Sequence, residues 1–347
     1  MKYIKDIESF EYLNEELNFR KMWGDYKGYL ITIGLLAGIS NYTNMKALAG
    51  YKLSHSEISN IVNDVSYKPD GKNKILVDTI KLNLIEYIKS SDKIDDYKKS
   101  SIVKSIDSLS IVIAPDRFAD GIAEDNVIGV HFMYIDYPTK KIKNAIVLNA
   151  DKFNDGLFSK SDNKTKVSTV IHELWHFIDF KLNSNSNKKY GYYSDIIDIS
   201  ELLDMDIVTN NDLGRKKLEK KIEIIFKRKC LKNNKKAKRY LASLITVNRK
   251  YITSPEEVFA RFHSMKMWMF NNGIIENPTD NITKEDIINI IEDYDIIDLF
   301  SKQNIDFFEL LFYMKINFDD GTDDSNKLDG FNSIVSNYND YKDKRDV

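Results

Sequence analysis

The chain has 347 residues, of which 42% are hydrophobic, 12% aromatic and 30% charged, with a formal net charge of −2. That balance fills one large core or two modest ones and excludes wholesale disorder, while 14 Gly and 5 Pro exclude a collagen-like or linker-dominated architecture. A single cysteine, Cys230, excludes an internal disulfide framework and any zinc site built from cysteine clusters, so a transition-metal site must draw on carboxylates and on His55, His131, His172, His176 and His263.

The opening MKYIKDIESF alternates charged and apolar residues and lacks the apolar run of a secretory signal. The longest apolar run, Tyr29 to Ile39, is about half of the roughly 20 residues that span a bilayer and reads as a buried helix. The expectation is a cytoplasmic protein without a transmembrane segment, with export by a route that needs no signal peptide, or a virion or mobile-element setting, as the alternative. The abundance of Lys, Asn and Ile is the compositional mark of an AT-rich genome.

Residues 1–105 read as a helical N-terminal region, with apolar residues at three and four spacings around Phe10–Trp23, Tyr29–Ile39, Ser54–Val65 and Lys74–Ile88. His55, beside a capping serine, reads as a surface residue. The pattern then changes to strands at Ser108–Ala114, Val127–Ile135 and Ala145–Leu148, the last two separated by the turn-like YPTKKIK; this predicts a hairpin preceded by a third strand. His131 falls in the middle strand and reads as a satisfied sheet histidine. A helix beginning near Thr165 carries Val167, Val170, Ile171, Leu174 and Ile178 on one face. A polar loop at Ser184–Tyr193 follows, then helices around Ile196–Leu203, Leu218–Leu231 and Ala237–Val247. A further helix starts at Ser254-Pro255, apolar segments cover Asp286–Phe300 and Ile305–Phe318, and residues 319–347 read as a polar tail. The fold class is therefore α+β and mainly helical, with residues 106–318 as one domain containing a helical insertion near 204–248.

His172-Glu173-Leu174-Trp175-His176 is an H-E-x-x-H sequence inside a helix. Residues four apart share one face, so two imidazoles can converge on one Zn²⁺, and Glu173 stands one step round, where it can meet a metal-activated water without ligating. A catalytic zinc site usually has a third protein ligand. Leu182 replaces the histidine that a metzincin would place there, and Glu201 lies in a poorly matching context. Glu257, in the first turn of the helix that Ser254-Pro255 starts, is the preferred candidate, with Ala260 one turn on allowing close helix packing; Glu256 and Glu201 remain alternatives. Ser254-x-x-Glu257 reads equally as a capping box, in which the glutamate satisfies a backbone N–H. Asp179, one turn beyond His176, can accept from the outer N–H of a ligand imidazole.

The H-E-x-x-H-x-x-D of His172, Glu173, His176 and Asp179, followed by E-x-x-A at Glu257 and Ala260 with Phe259 and Phe262 beside it, resembles the lethal factor-like gluzincin zinc metallopeptidases. That family includes the catalytic domain of anthrax lethal factor and the clostridial Pro-Pro endopeptidases. The resemblance covers about residues 108–270 and implies a zincin-like domain with one Zn²⁺ held by His172, His176 and Glu257. It implies Glu173 as general base and Tyr251 as the donor to the oxyanion, with His263 or a tyrosine of the 190–193 segment in reserve. Tyr251 lies six residues before Glu257, one fewer than the family's spacing. The strands before the helix would offer an edge to an extended protein or peptide substrate. The expected function is a zinc-dependent endopeptidase, of bacterial or phage origin and toxin-like. The alternative is a non-catalytic interaction or structural protein, for example of a mobile element or phage, that retains the peptidase-like domain.

Between Arg215 and Arg239 the chain holds thirteen basic residues against two acidic ones. Interleaved Leu218, Ile222, Ile225 and Phe226 predict an amphipathic helix whose cationic face is either solvated or a contact for an acidic partner.

Overall fold

The computed structural model describes residues 55–92, 94–115, 129–136, 138–150, 163–184, 199–209, 212–228, 249–293, 310–318 and 325–336. The segments Phe10–Trp23, Tyr29–Ile39 and Ala237–Val247, the tyrosines of 190–193, Cys230 and the basic residues beyond Arg228 lie outside the described residues.

The described chain is α+β and mainly helical. Helix α1 (His55–Asn63) is followed by a short 3-10 turn (Val65–Tyr67), α2 (Gly71–Ser90) and α3 (Asp96–Ser108). Strands β1 (Ser110–Ala114), β2 (Gly129–Asp136) and β3 (Lys141–Asn149) come next, then α4 (Asn163–Ser184), α5 (Met205–Val208) and α6 (Asp212–Arg228). Helices α7 (Arg249–Ile252), α8 (Pro255–Asn271), α9 (Lys284–Asp293) and α10 (Ser325–Ser336) complete it.

The sheet is mixed, in the order β1-β3-β2. β2 and β3 form the expected antiparallel hairpin, with Val130 opposite Val147 and Phe132 opposite Ala145. The third strand does not extend the hairpin from β2. Instead β1 pairs in parallel with β3, Ile111 opposite Ile146, which leaves β2 at an edge. Period-two alternation sorts the side chains onto two cores. Val112, Ala114, Phe132, Tyr134, Ala145 and Val147 pack under Ile58, Ile61 and Val62 of α1. Ile111, Ile146 and Leu148 face the opposite way, into the large core with Val170, Leu174 and Trp175 of α4.

Asp136, at the end of β2, fastens α1 to the hairpin. Its carboxylate is 1% exposed and accepts from Asn63 Nδ2 at 3.0 Å, Ser59 Oγ at 3.3 Å and Thr139 Oγ1, and it pairs with Lys143 Nζ at 2.6 Å.

Residue 105 falls inside α3, and residues on both sides of it share one core. Val77, Ile80, Leu84 and Tyr87 of α2 and Ile102 and Ile106 of α3 pack with α4 and α8. Helices α2 and α3 thus contribute to the same core as α4 and α8. The tail expectation also needs correction. Ser325–Ser336 is a helix, because Leu328 and Phe331, three apart, give this polar segment one apolar edge, and Phe331 packs on Phe262 of α8 with ring centroids 5.4 Å apart. Around Leu203 the expected helix is replaced, over its described residues, by a turn and a bridge from Leu203 to Met314.

No helix among the described residues is long and apolar enough to cross a membrane.

Candidate metal centre

Helix α4 is buried almost all round. Val170, Leu174, Trp175, Phe177 and Ile178 are in the large core, so the helix is clamped between the sheet and α8. Its i, i+4 spacing sets His172 and His176 one above the other, with Nε2 atoms 3.0 Å apart.

Helix α8 supplies the third group. Ser254 is its N-cap and Pro255 occupies the first turn, where a missing N–H costs nothing. The capping box does not form: the Ser254 side chain makes no capping hydrogen bond, and Glu257 turns to the histidines instead. Glu257 Oε1 is 3.3 Å from His176 Nε2, and Oε2 is 3.4 Å from His172 Nε2. The ligand atoms of His172, His176 and Glu257 all lie within 4.8 Å of one another, the arrangement of a site that could hold a metal ion. Among the described residues no other histidine, cysteine or carboxylate joins this group. Glu201 sits in an exposed turn, its carbonyl accepting from Lys315 Nζ at 2.5 Å, and Glu256 is the neighbour that points elsewhere.

The chemistry of the donors fits a cation. Glu257 is 3% exposed, and its Oε2 accepts no hydrogen bond. Two imidazole nitrogens so close can share one proton or direct both lone pairs at one ion. Burial works against the Glu257 charge, but the two imidazoles outweigh it and hold its carboxyl well below the usual carboxylate range. Nitrogen and oxygen donors in this combination suit a borderline ion such as Zn²⁺.

Glu173 lies beside this trio and outside it. Burial raises its pKa, the two histidines pull it down, and the Glu257 charge pushes it up again, leaving it above the ordinary value. Its Oε2 accepts from the backbone N–H of His131 at 2.7 Å. Gly129, two residues earlier on β2, lets the strand approach, since a Cβ there would stand 3.1 Å from Glu173 Cγ and 3.1 Å from Thr169 Cγ2. The His131 ring is not idle: Nε2 contacts Asn144 Oδ1 at 3.0 Å, and the ring packs edge-on to Phe177. Burial, reinforced by His176, lowers its pKa to about 3, so it is neutral.

Tyr251, on α7, is 44% exposed as a residue, and its hydroxyl feels the charge of the Glu257 carboxylate. Burial of the hydroxyl and the Glu257 charge raise its pKa well above the usual value, so it stays a donor. Asp179 is fully buried.

His263 is placed elsewhere. It is fully buried, stacked on Trp175 with centroids 4.3 Å apart and packed against Phe259 at 4.2 Å. It lies in the core between α8 and Trp175 of α4 and outside the group of three ligand atoms, so it is a core histidine and not a donor at the site. Burial and the nearby Lys266 hold it neutral.

The cationic face expected of α6 is partly committed to the fold. Lys217 pairs with Asp206, and Lys221 Nζ donates to the carbonyls of Met314 and, at 3.3 Å, Phe312. Arg215 pairs with Glu219 at 3.7 Å. The Lys221 bonds anchor α6 to the segment after Leu310, the Lys217 pair ties it to α5, and together these contacts leave fewer charges for a partner.

Three features of the site escape a reading of the sequence alone: the His131 N–H, Gly129, and Arg261, whose Nε is 3.3 Å from Glu257 Oε2. Only the last carried a signal, an i, i+4 spacing to a carboxylate. No protein-family model, curated protein or solved structure matches this chain.

Proposed function

We propose that the chain is a zinc-dependent endopeptidase of the gluzincin type, with a zincin-like domain as in the lethal factor-like peptidases. The observation that carries this reading is the convergence of His172, His176 and Glu257 from two helices, with Glu173 beside them and outside the ligand set. His172, His176 and Glu257 would hold the ion. Zinc, when bound, supplies a water whose pKa is brought towards about 7 and a Lewis acid for the scissile carbonyl.

The residues of the chain do the rest. Glu173, with a raised pKa and one oxygen fixed by His131, takes a proton from the attacking water and passes it to the leaving amine. Tyr251, protonated at neutral pH, donates to the oxyanion that develops on the substrate.

The substrate lies along β2. His131 directs its N–H to Glu173, so alternation in the antiparallel pair turns the backbone groups of Gly129, His131 and Met133 away from β3. Among the described residues no strand covers that edge. An extended peptide adds there by main-chain hydrogen bonds and brings its scissile bond to Glu173.

The test is cleavage of a peptide library. Cleavage that stops on chelation and returns with stoichiometric zinc is expected; cleavage indifferent to chelator would refute the metal mechanism.

A further inference from the structure

We propose that Arg261 is the internal counter-cation of Glu257: it pairs with the third ligand inside the protein, and it competes with the metal for that ligand. The inference rests on the reading of His172, His176 and Glu257 as a metal site.

Arg261 lies one turn beyond Glu257 on α8 and is 7% exposed, so its guanidinium is held inside the protein beside the ligand set. Its Nε stands 3.3 Å from Glu257 Oε2. The same oxygen is 3.4 Å from His172 Nε2. A buried carboxylate without a cation beside it is costly, and the guanidinium offsets part of that cost.

The same arrangement works against the metal. A dication among the three ligand atoms and the guanidinium draw on one carboxylate, and two like charges repel strongly where the dielectric is low. An outer residue can instead strengthen a metal site by orienting a ligand, and its removal then weakens binding by about 10–100-fold. The two roles predict opposite signs. The structure favours competition, because Glu257 Oε2 accepts no hydrogen bond: the contact with Arg261 is an ion pair that supplies charge and does not fix orientation.

The test compares full-length wild type, Arg261→Met and Arg261→Lys by thermal melting of the metal-free proteins and by zinc affinity against a chromophoric chelator. Arg261→Met should melt lower than wild type without metal and bind zinc about tenfold tighter, and zinc should raise its melting temperature more than that of wild type. Arg261→Lys, which keeps the charge, should stay close to wild type in both. If the methionine variant does not fold, Arg261→Gln keeps a similar length and should show the same sign. Zinc binding equal to or weaker than wild type in the neutral variants, or a lysine variant that behaves like them, would overturn the proposal. Zinc uptake by wild type and its loss in His172→Ala check the metal reading separately; a wild type that takes up no zinc overturns both.

Discussion

The backbone N–H of His131 donates to Glu173 Oε2 at 2.7 Å, tying the edge strand β2 to the helix that carries both histidines. One carboxylate oxygen is thereby fixed by the sheet and the other is left for chemistry. The sheet edge and Glu173 are in register because a main-chain group, which no side-chain substitution other than proline removes, sets their distance.

That register depends on Gly129. An alanine Cβ would meet Leu148 Cδ2 at 3.0 Å and Glu173 Cγ at 3.1 Å, so Gly129→Ala must push the base or the strand aside. Overpacking of this kind costs about 1–3 kcal/mol, and a base moved by a fraction of an ångström loses on the order of tenfold or more in rate. Kcat measured beside metal content should show the rate falling with zinc retained. Unchanged kcat would mean that Glu173 is not the base.

Tyr251→Phe removes the hydroxyl near Glu257 and keeps the half-exposed ring. Loss of an oxyanion donor lowers kcat by about 10²–10³-fold. Steady-state kinetics should show this with KM nearly unchanged. A loss confined to KM would assign Tyr251 to substrate binding.

Asp136→Asn tests the join between α1 and the hairpin. Burial alone would raise the Asp136 pKa, but Lys143, Thr139 and Asn63 together hold it far below the usual range. A depressed carboxylate pKa contributes stability that is present above the unfolded value of about 4 and is lost as pH falls towards the folded value. Lys143 is partly exposed and screened, so the substitution should cost about 1–3 kcal/mol at pH 7. Urea unfolding of both proteins at pH 7 and pH 3 should show the gap narrowing in acid.

Lys266 bears on stability in the opposite direction. It is fully buried, its Nζ makes no hydrogen bond, and burial, only partly offset by Asp280, lowers its pKa to about 8. Below that pH the folded protein carries a charge that the unfolded chain carries more cheaply. As pH rises from about 8 towards the unfolded value of about 10.4 that burden lifts, so Lys266 adds a rise in stability across this window. Lys266→Met should be neutral or stabilising at pH 7 and should lose its share of the rise, which unfolding curves at pH 7 and pH 10 measure against wild type.

The local parts of this architecture were legible in the sequence. The i, i+4 histidines need only helical periodicity, and strand alternation marks Val112 and Ile111 as facing opposite cores. What depends on distant contacts was not. Ser254-x-x-Glu257 reads equally as a cap and as a ligand until α4 is known to pack against α8, about 80 residues away from His176 in sequence. His263 looked available because its rarity draws attention, and only the stack on Trp175 shows that the core consumes it. The parallel partner of β1 depends on which edge the hairpin offers, which no turn residue encodes. Lys217 and Lys221 read as surface charge because their partners, Asp206 and the carbonyls of Phe312 and Met314, are set by tertiary packing.

The most direct measurement is cleavage of a peptide library by wild type and Glu173→Gln, each with its zinc content determined. The account predicts one zinc per chain in both proteins and cleavage by wild type alone. Equal cleavage by the variant, or none by a wild type carrying its full zinc, would contradict it.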